Sequence, residues 1–157
     1  GLGDVYKRQN SPMQNTPSLA LGTFEVTVLD LTTAYTAIAN GGYAVWPHAV
    51  EEIYSRDGYQ LYQRAATEKV RILDAKAVEN LTEMLQKVIK SGTGHRADIG
   101  RFAAGKTGTS QDNRDAWFFG FTDNLVAAVW LGNDDNSPMK GVYGSGLPAT
   151  IWQKIMR

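Results

Sequence analysis

Residues 100–110 read GRFAAGKTGTS, and the fold turns on how they are read. The first eight, Gly100 to Thr107, fit the phosphate-loop pattern G-x-x-x-x-G-K-S/T at every position. Such a loop belongs to a parallel sheet: a buried strand runs into it, and a helix starts at the lysine so that backbone N–H groups face the phosphates. Read as a strand instead, the same letters put Lys106 and Gly108 on one side and Thr107 and Thr109 on the other. One lysine cannot serve both designs.

The flanking residues decide between them. Upstream, GTGHRAD (residues 92–98) is polar and glycine-rich, and only Ile99 offers a large apolar side chain. Downstream, Gly108 falls in the would-be first helical turn, and Asp112-Asn113-Arg114 signals a turn soon after. The later run LVAAVWLGNDD does imitate a strand ending in a magnesium-binding aspartate. Yet only Asp112–Arg114 and Thr122–Asn124 separate three strand candidates, FAAGKTGT, AWFFGF and NLVAAVWLG. Connections that short join antiparallel neighbours, because a parallel return needs about a dozen residues. The phosphate-loop match is a coincidence of spelling, and the segment opens an antiparallel meander.

Outward from the meander, TVLDLTTAYTAIAN (residues 27–40) sets Leu31, Tyr35 and Ile38 on one helical face. Thr27 caps its start, and Asn40-Gly41-Gly42 supplies a left-handed stop. AVEEIYSRDGYQLYQR then holds two apolar-alternating runs around Asp57-Gly58. This predicts a hairpin, an edge ribbon polar on one face, to which no chemistry is assigned. Asp74 caps a second helix in which Val78, Leu81, Leu85 and Val88 recur at three and four, and Ser91-Gly92 ends it. In the closing LPATIWQKIMR, Pro148 suits a first turn, and Ile151, Trp152, Ile155 and Met156 form a stripe. Helix, hairpin, helix, antiparallel meander, helix: the class is α+β, an antiparallel sheet flanked by helices.

The bounds agree with a globular chain. At 157 residues it can hold one domain with a real core, or part of a larger one. Sixteen Lys and Arg balance sixteen Asp and Glu with no long run of one sign, so no nucleic-acid partner is expected. The absence of cysteine excludes disulfides, thiolate metal sites and a cysteine nucleophile. His48 and His95 lie far apart without metal-ligand spacing, and no cofactor is expected. The longest apolar run, Leu125 to Leu131, is a strand's length and far short of a membrane span. The opening GLGDVYKRQ has neither an apolar leader segment nor a helix or strand period, and it resembles stray sequence at the ends of assembled gene fragments. Residues 1–15 are therefore expected to be a non-native or disordered start, with the domain at residues 16–157.

As a strand, K-T-G-T makes chemical sense. A glycine inside a strand weakens it unless another backbone must come close, and an extended peptide added along the strand edge is such a case. Lys106 offers a fixed positive charge near a reacting group, and the hydroxyls of Thr107 and Thr109 can hold a carboxylate. A backbone N–H at the strand's end can stabilise a tetrahedral oxyanion. Serine acyl-transfer enzymes carry K-T-G on a strand beside their nucleophile. An ordinary surface strand can spell the same letters.

From PSLALGTFEVTVLDLTTAYTAIANGGY onward, the chain resembles the C-terminal half of the transpeptidase domain of class A penicillin-binding proteins. The blocks that carry the resemblance are the helix ending A-N-G-G, VIKSGTG, A-G-K-T-G-T, DAWFFG, VWLGNDDNSPMK and GSGLPATIW, in that order. The resemblance implies a helix-flanked antiparallel sheet, a serine acyl-enzyme, cross-linking of peptidoglycan stem peptides, and acylation by β-lactams. It also implies a location at the periplasmic face of the bacterial membrane, with a glycosyltransferase domain and the other half of the transpeptidase domain as neighbours. Carried over by residue, Lys106 falls on the family's lysine beside the active site. Thr107 and Thr109 match its substrate-carboxylate contacts, Gly108 lies between them on the substrate-binding strand, and the Thr109 N–H matches half of the oxyanion hole. Asp115 and Trp117 match family positions as well, read here as structural.

Two motifs of that mechanism, S-x-x-K and S-x-N, precede K-T-G in the family. S-x-N is absent, and the single S-x-x-K, Ser137-Pro138-Met139-Lys140, follows K-T-G in the wrong order. GVYGSG comes directly after it, so no helix can bring this lysine one turn from its serine. The chain thus carries one wall of an active site without a nucleophile. The upstream segment is expected to shield the sheet at Phe118, Val126 and Val129. Rival readings are a serine β-lactamase or D,D-carboxypeptidase fragment, and a non-catalytic module that binds peptides along the Gly108 strand edge. The rejection of the phosphate loop is directly testable: calorimetric titration with Mg-ATP should give no binding, and a micromolar Kd would restore that reading.

Overall fold

The computed structural model describes residues 26–157; the expected foreign start at residues 1–15 lies outside them. The elements are α1 (Val28–Ala39), a hairpin of β1 (Glu52–Tyr54) and β2 (Gln60–Gln63), α2 (Ala75–Ser91), a meander of β3 (Ala104–Thr109), β4 (Asp115–Phe121) and β5 (Val126–Gly132), and α3 (Leu147–Met156). Both expected N-caps are made. Thr27 Oγ1 accepts the Asp30 N–H at 3.0 Å, and Asp74 Oδ1 accepts that of Ala77 at 2.9 Å. Gly41 and Gly42 turn the chain at positive φ after α1.

The meander is antiparallel throughout, in the order β3-β4-β5. Lys106 sits within β3 opposite Phe119, and no helix starts there, so the geometry of a phosphate loop is absent. Alternation along the paired strands sorts the side chains onto two faces. One carries Lys106, Gly108, Trp117, Phe119, Phe121, Val126 and Trp130; the other carries Thr107, Thr109, Ala116, Phe118 and Val129. Each face has its own core. On the lysine face, Tyr35 of α1 stacks on Phe119 with centroids 5.3 Å apart, and Leu85 of α2 joins Ala104 and Phe121. On the threonine face, Trp152 of α3 lies 5.2 Å from Phe118, both fully buried, with Ile89 of α2, Val129 and Met156 around them. Helix α2 therefore contributes to both cores.

Three expectations need correction. The β1–β2 ribbon is a separate two-stranded sheet whose strand residues are all exposed, rather than an edge ribbon with one covered face. Ile155 is 56% exposed and leaves the α3 stripe, because Pro148, Ala149, Trp152 and Met156 face the sheet. Finally, Phe118 and Val129 are covered by this chain's own α3, and Val126 packs in the cluster that holds Tyr35, Ile38 and Leu85. Phe118 and Val129 are buried in this way, whereas Val126 stays half-buried.

Trp152 is the keystone of the threonine-face core. Its indole N–H donates to Ala127 O at 3.1 Å, and Gly120 leaves it room, since a Cβ at that glycine would lie 2.8 Å from the ring. Trp152→Ala should lower unfolding free energy by about 3–5 kcal/mol, the usual cost of emptying an aromatic core site. Trp152→Phe should lose less, keeping a ring on Phe118 while giving up the indole hydrogen bond to the Ala127 carbonyl. Urea unfolding of both variants against the parent protein checks the order.

Candidate active site

Among the described residues β3 is an edge strand, and the direction of its free backbone groups follows from one bond. The Ser110 N–H donates to Asp115 O at 2.9 Å, which makes Ser110–Asp115 a hydrogen-bonded pair. Bonded and unbonded pairs alternate in an antiparallel ladder. Gly108–Trp117 and Lys106–Phe119 are then bonded, while Thr109–Ala116 and Thr107–Phe118 are not. The N–H and C=O groups of Thr107 and Thr109 consequently point away from β4, toward the open edge.

The side chains converge on that edge from both faces. Lys106 leaves from the lysine face, yet its ammonium donates to Thr107 O at 2.9 Å and so reaches the edge. From the threonine face, the Thr107 hydroxyl lies 2.8 Å from that of Thr93, and Thr109 Oγ1 accepts the Gly144 N–H at 3.0 Å. Lys106 and Thr109 are exposed, and Thr107 and Gly108 half-buried. All four predicted residues thus lie side by side on one open edge. The close backbone approach expected at Gly108 does not explain that glycine, since a Cβ there would meet only the Trp117 side chain, at 3.4 Å; it is Gly144 that comes close. Gly144 is buried against the Gly108–Trp117 pair, and a Cβ on Gly144 would collide with both their carbonyl oxygens and come within 2.9 Å of the Gly108 nitrogen.

Thr93 and Gly144 are the neighbours to which sequence reasoning assigned no part. Both sit in recognisable blocks, SGTG and GSGLP, but their contacts with β3 span 14 and 35 residues and leave no periodic trace. Asp115 and Trp117 behave as framework. Asp115 Oδ1 accepts the Trp130 indole N–H at 2.9 Å, and Trp117 stacks on Phe119 at 5.3 Å and tilts against Trp130 at 5.9 Å. Burial raises the Tyr35 phenol above its ordinary pKa at the far end of this aromatic row. Among the described residues no group of three or more His, Asp or Glu could hold a metal ion.

The Ser137–Lys140 motif lies in a segment, residues 133–146, that contains turns and no helix. Ser137 is tied into its own turn: Asn133 Nδ2 donates to its hydroxyl oxygen at 3.0 Å, and its N–H donates to Asp135 Oδ1 at 3.0 Å. Hydrogen bonds from the Ser137 side chain, and then from its backbone, hold the Asp135 carboxyl below its ordinary pKa. That is a local turn, without an activated nucleophile.

An antiparallel sheet packed by helices on both faces, with a lysine and two threonines on its open edge, defines a class that the comparisons identify. The family model described as the penicillin-binding protein transpeptidase domain matches residues 3–157, and the chain belongs to that family. It is 38% identical to penicillin-binding protein 1A of Neisseria meningitidis serogroup A, with 100% of this chain aligned to 21% of that protein. Against penicillin-binding protein 1A of Pseudomonas aeruginosa the identity is 33%, covering 88% of this chain and 23% of that one. The chain thus spans about a fifth of the length of the curated relatives it matches. Among solved structures, the penicillin-binding protein PonA1 of Mycobacterium tuberculosis superposes with a TM-score of 0.82 at 30% identity, over 90% of this chain and 40% of that one. PonA1 in complex with penicillin V gives 0.80 over the same shares. The resemblance and the α+β class read from the sequence both stand.

The geometry of Ser137 makes a definite forecast. When the protein containing this chain is treated with a fluorescent penicillin, peptide mapping should find no label on Ser137. Label there would show that its turn opens and that Lys140 activates it.

Proposed function

We propose that this chain is part of a peptidoglycan D,D-transpeptidase, which cross-links stem peptides through a serine acyl-enzyme and is acylated by β-lactams. The observation that carries this reading is the convergence, at a strand edge unpaired among the described residues, of a cation, two hydroxyls and two outward N–H groups, in a chain of the penicillin-binding transpeptidase family. An extended peptide can lie along such an edge as an added strand. Its terminal carboxylate then meets the Thr107 and Thr109 hydroxyls, and its reacting carbonyl the Thr109 N–H. A donor aimed in this way at a developing oxyanion favours the tetrahedral intermediate over the planar ground state, and Thr109 supplies one half of such a hole.

Lys106 supplies the charge. Its ammonium is exposed and rests on a backbone carbonyl of its own strand, so it can turn to a ligand at little cost. It acts on the proton path of the reacting serine and on the incoming carboxylate, both of which matter more in the transition state than in the resting enzyme. The nucleophilic serine, its lysine and the S-x-N residues belong to the part of the whole protein upstream of K-T-G. We place the glycosyltransferase domain and the membrane anchor there too, with the site on the periplasmic side; among the described residues no helix is long and apolar enough to cross a membrane. The reaction requires no metal or cofactor.

The test is the second-order acylation rate of the full-length protein by a fluorescent penicillin. Lys106→Ala should slow it by about a hundredfold or more with the fold intact. Thr109→Ala should cost less, because its N–H survives. Thr109→Pro should cost more than Thr109→Ala by up to about 2.7–4 kcal/mol, the price of one oxyanion donor elsewhere. Circular dichroism must first show an unchanged fold, since proline also disturbs a strand. A parental rate for Lys106→Ala would remove Lys106 from the active site and leave the non-catalytic peptide-binding module as the better reading.

A further inference from the structure

We propose that Gly144 is a positioning residue for this site, whose backbone N–H sets the direction in which the Thr109 hydroxyl donates. The proposal rests on the reading of Thr109 as a contact to the substrate carboxylate. A hydroxyl has one proton and two lone pairs. With one lone pair of Thr109 Oγ1 taken by the Gly144 N–H at 3.0 Å, the proton cannot point toward Gly144 and is left to the remaining directions. Thr109 itself is exposed, so those directions open to a ligand. A free threonine hydroxyl would lose this rotational freedom only on binding; here it is lost beforehand, which favours the bound state.

The position demands glycine for a reason independent of the bond. Gly144 is buried, and a Cβ would run into the carbonyl oxygens of Gly108 and Trp117. Backbone carbonyls in a paired ladder cannot give way, so any side chain must lift the segment and withdraw the N–H from Thr109. The segment is pinned on either side of this point. Met139 N–H donates to Asn113 O at 3.1 Å, the Arg114 guanidinium donates to Asn136 O, and a turn from Gly146 N–H to Tyr143 O at 2.9 Å closes around Gly144. Residues 133–146 therefore hold the β3–β4 turn at one end and the Thr109 hydroxyl at the other.

An aimed hydroxyl helps a carboxylate much more than a neutral group, because hydrogen bonds to charged acceptors are the stronger ones. In the full-length protein, acylation by benzylpenicillin and by its methyl ester separates the cases. Gly144→Ala should slow acylation by the free acid about tenfold and by the ester under about twofold. Thr109→Ala should show the same preference, and adding Gly144→Ala to it should cause no further carboxylate-specific loss. Equal losses on both ligands, or none on either, would make Gly144 merely structural and overturn the proposal. If Thr109→Ala itself fails to discriminate acid from ester, the reading of Thr109 is what fails, and the proposal falls with it. Should Gly144→Ala not fold, hydrogen exchange at the Gly144 amide decides. Thr109→Ser keeps the acceptor and should keep the amide protected, whereas Thr109→Val should expose it. Protection unchanged in Thr109→Val would show that the bond does not hold this segment.

Discussion

The arrangement of the site depends on the register between β3 and β4. The bond from Ser110 N–H to Asp115 O closes their connection and decides which residues of β3 face β4 and which face outward. A slip of one residue would move Lys106 to the threonine face, carry Thr107 and Thr109 to the lysine face, and turn the outward N–H groups inward. Several features oppose such a slip. Asp112 and Asn113 both take the left-handed conformation, and the Ser110 hydroxyl accepts the Asp115 N–H at 2.7 Å, so the turn has a fixed length. Gly105 adds a steric lock against a one-residue slip: a Cβ there would lie 2.6 Å from Phe119 O and 2.9 Å from the Phe118 ring, so neither Ala104 nor Lys106 fits the place.

Packing converts this register into rigidity. Fully burying a large apolar side chain contributes about 1.5–3 kcal/mol, and Phe118, Phe119, Phe121 and Trp152 are all buried around β4. The sheet is gripped from both faces, by Trp152 on one and by Tyr35 and Leu85 on the other. The β1–β2 ribbon has no such grip. Its order comes from the turn at Gly58, at positive φ, and from its own ladder. Site geometry therefore resides in the three-stranded sheet and its helices.

The parts of the fold legible in the sequence were those with local causes. Caps, glycine stops, helical periods and short turns all act within a few residues, and they predicted α1, α2, the hairpin and the meander with correct pairing. K-T-G-T gave its strand and the alternation of its side chains. Errors arose where a distant partner decides. Whether Ile155 or Pro148 faces the sheet depends on where Trp152 finds its slot beside Gly120, which no period within α3 reveals. Likewise Thr93 and Gly144 matter through contacts with β3, and a sequence shows each only as part of a small-residue turn.

The strand also solves a problem of crowding. Placing a cation and two hydroxyls on one face of three or four consecutive residues is impossible, because alternate side chains point opposite ways. Here both faces are used, and the free edge is where they meet. Lys106 curls from its face to the Thr107 carbonyl, which itself points outward, and so brings its charge into the plane of the edge. The threonines approach from the other face, Thr107 paired with the Thr93 hydroxyl and Thr109 with the Gly144 amide. On the proposed function, an anionic peptide end along β3 would meet donors from above, below and within the strand at once. No single face of a helix or sheet offers that arrangement, whereas an edge strand with a short alternation of lysine, threonine, glycine and threonine does.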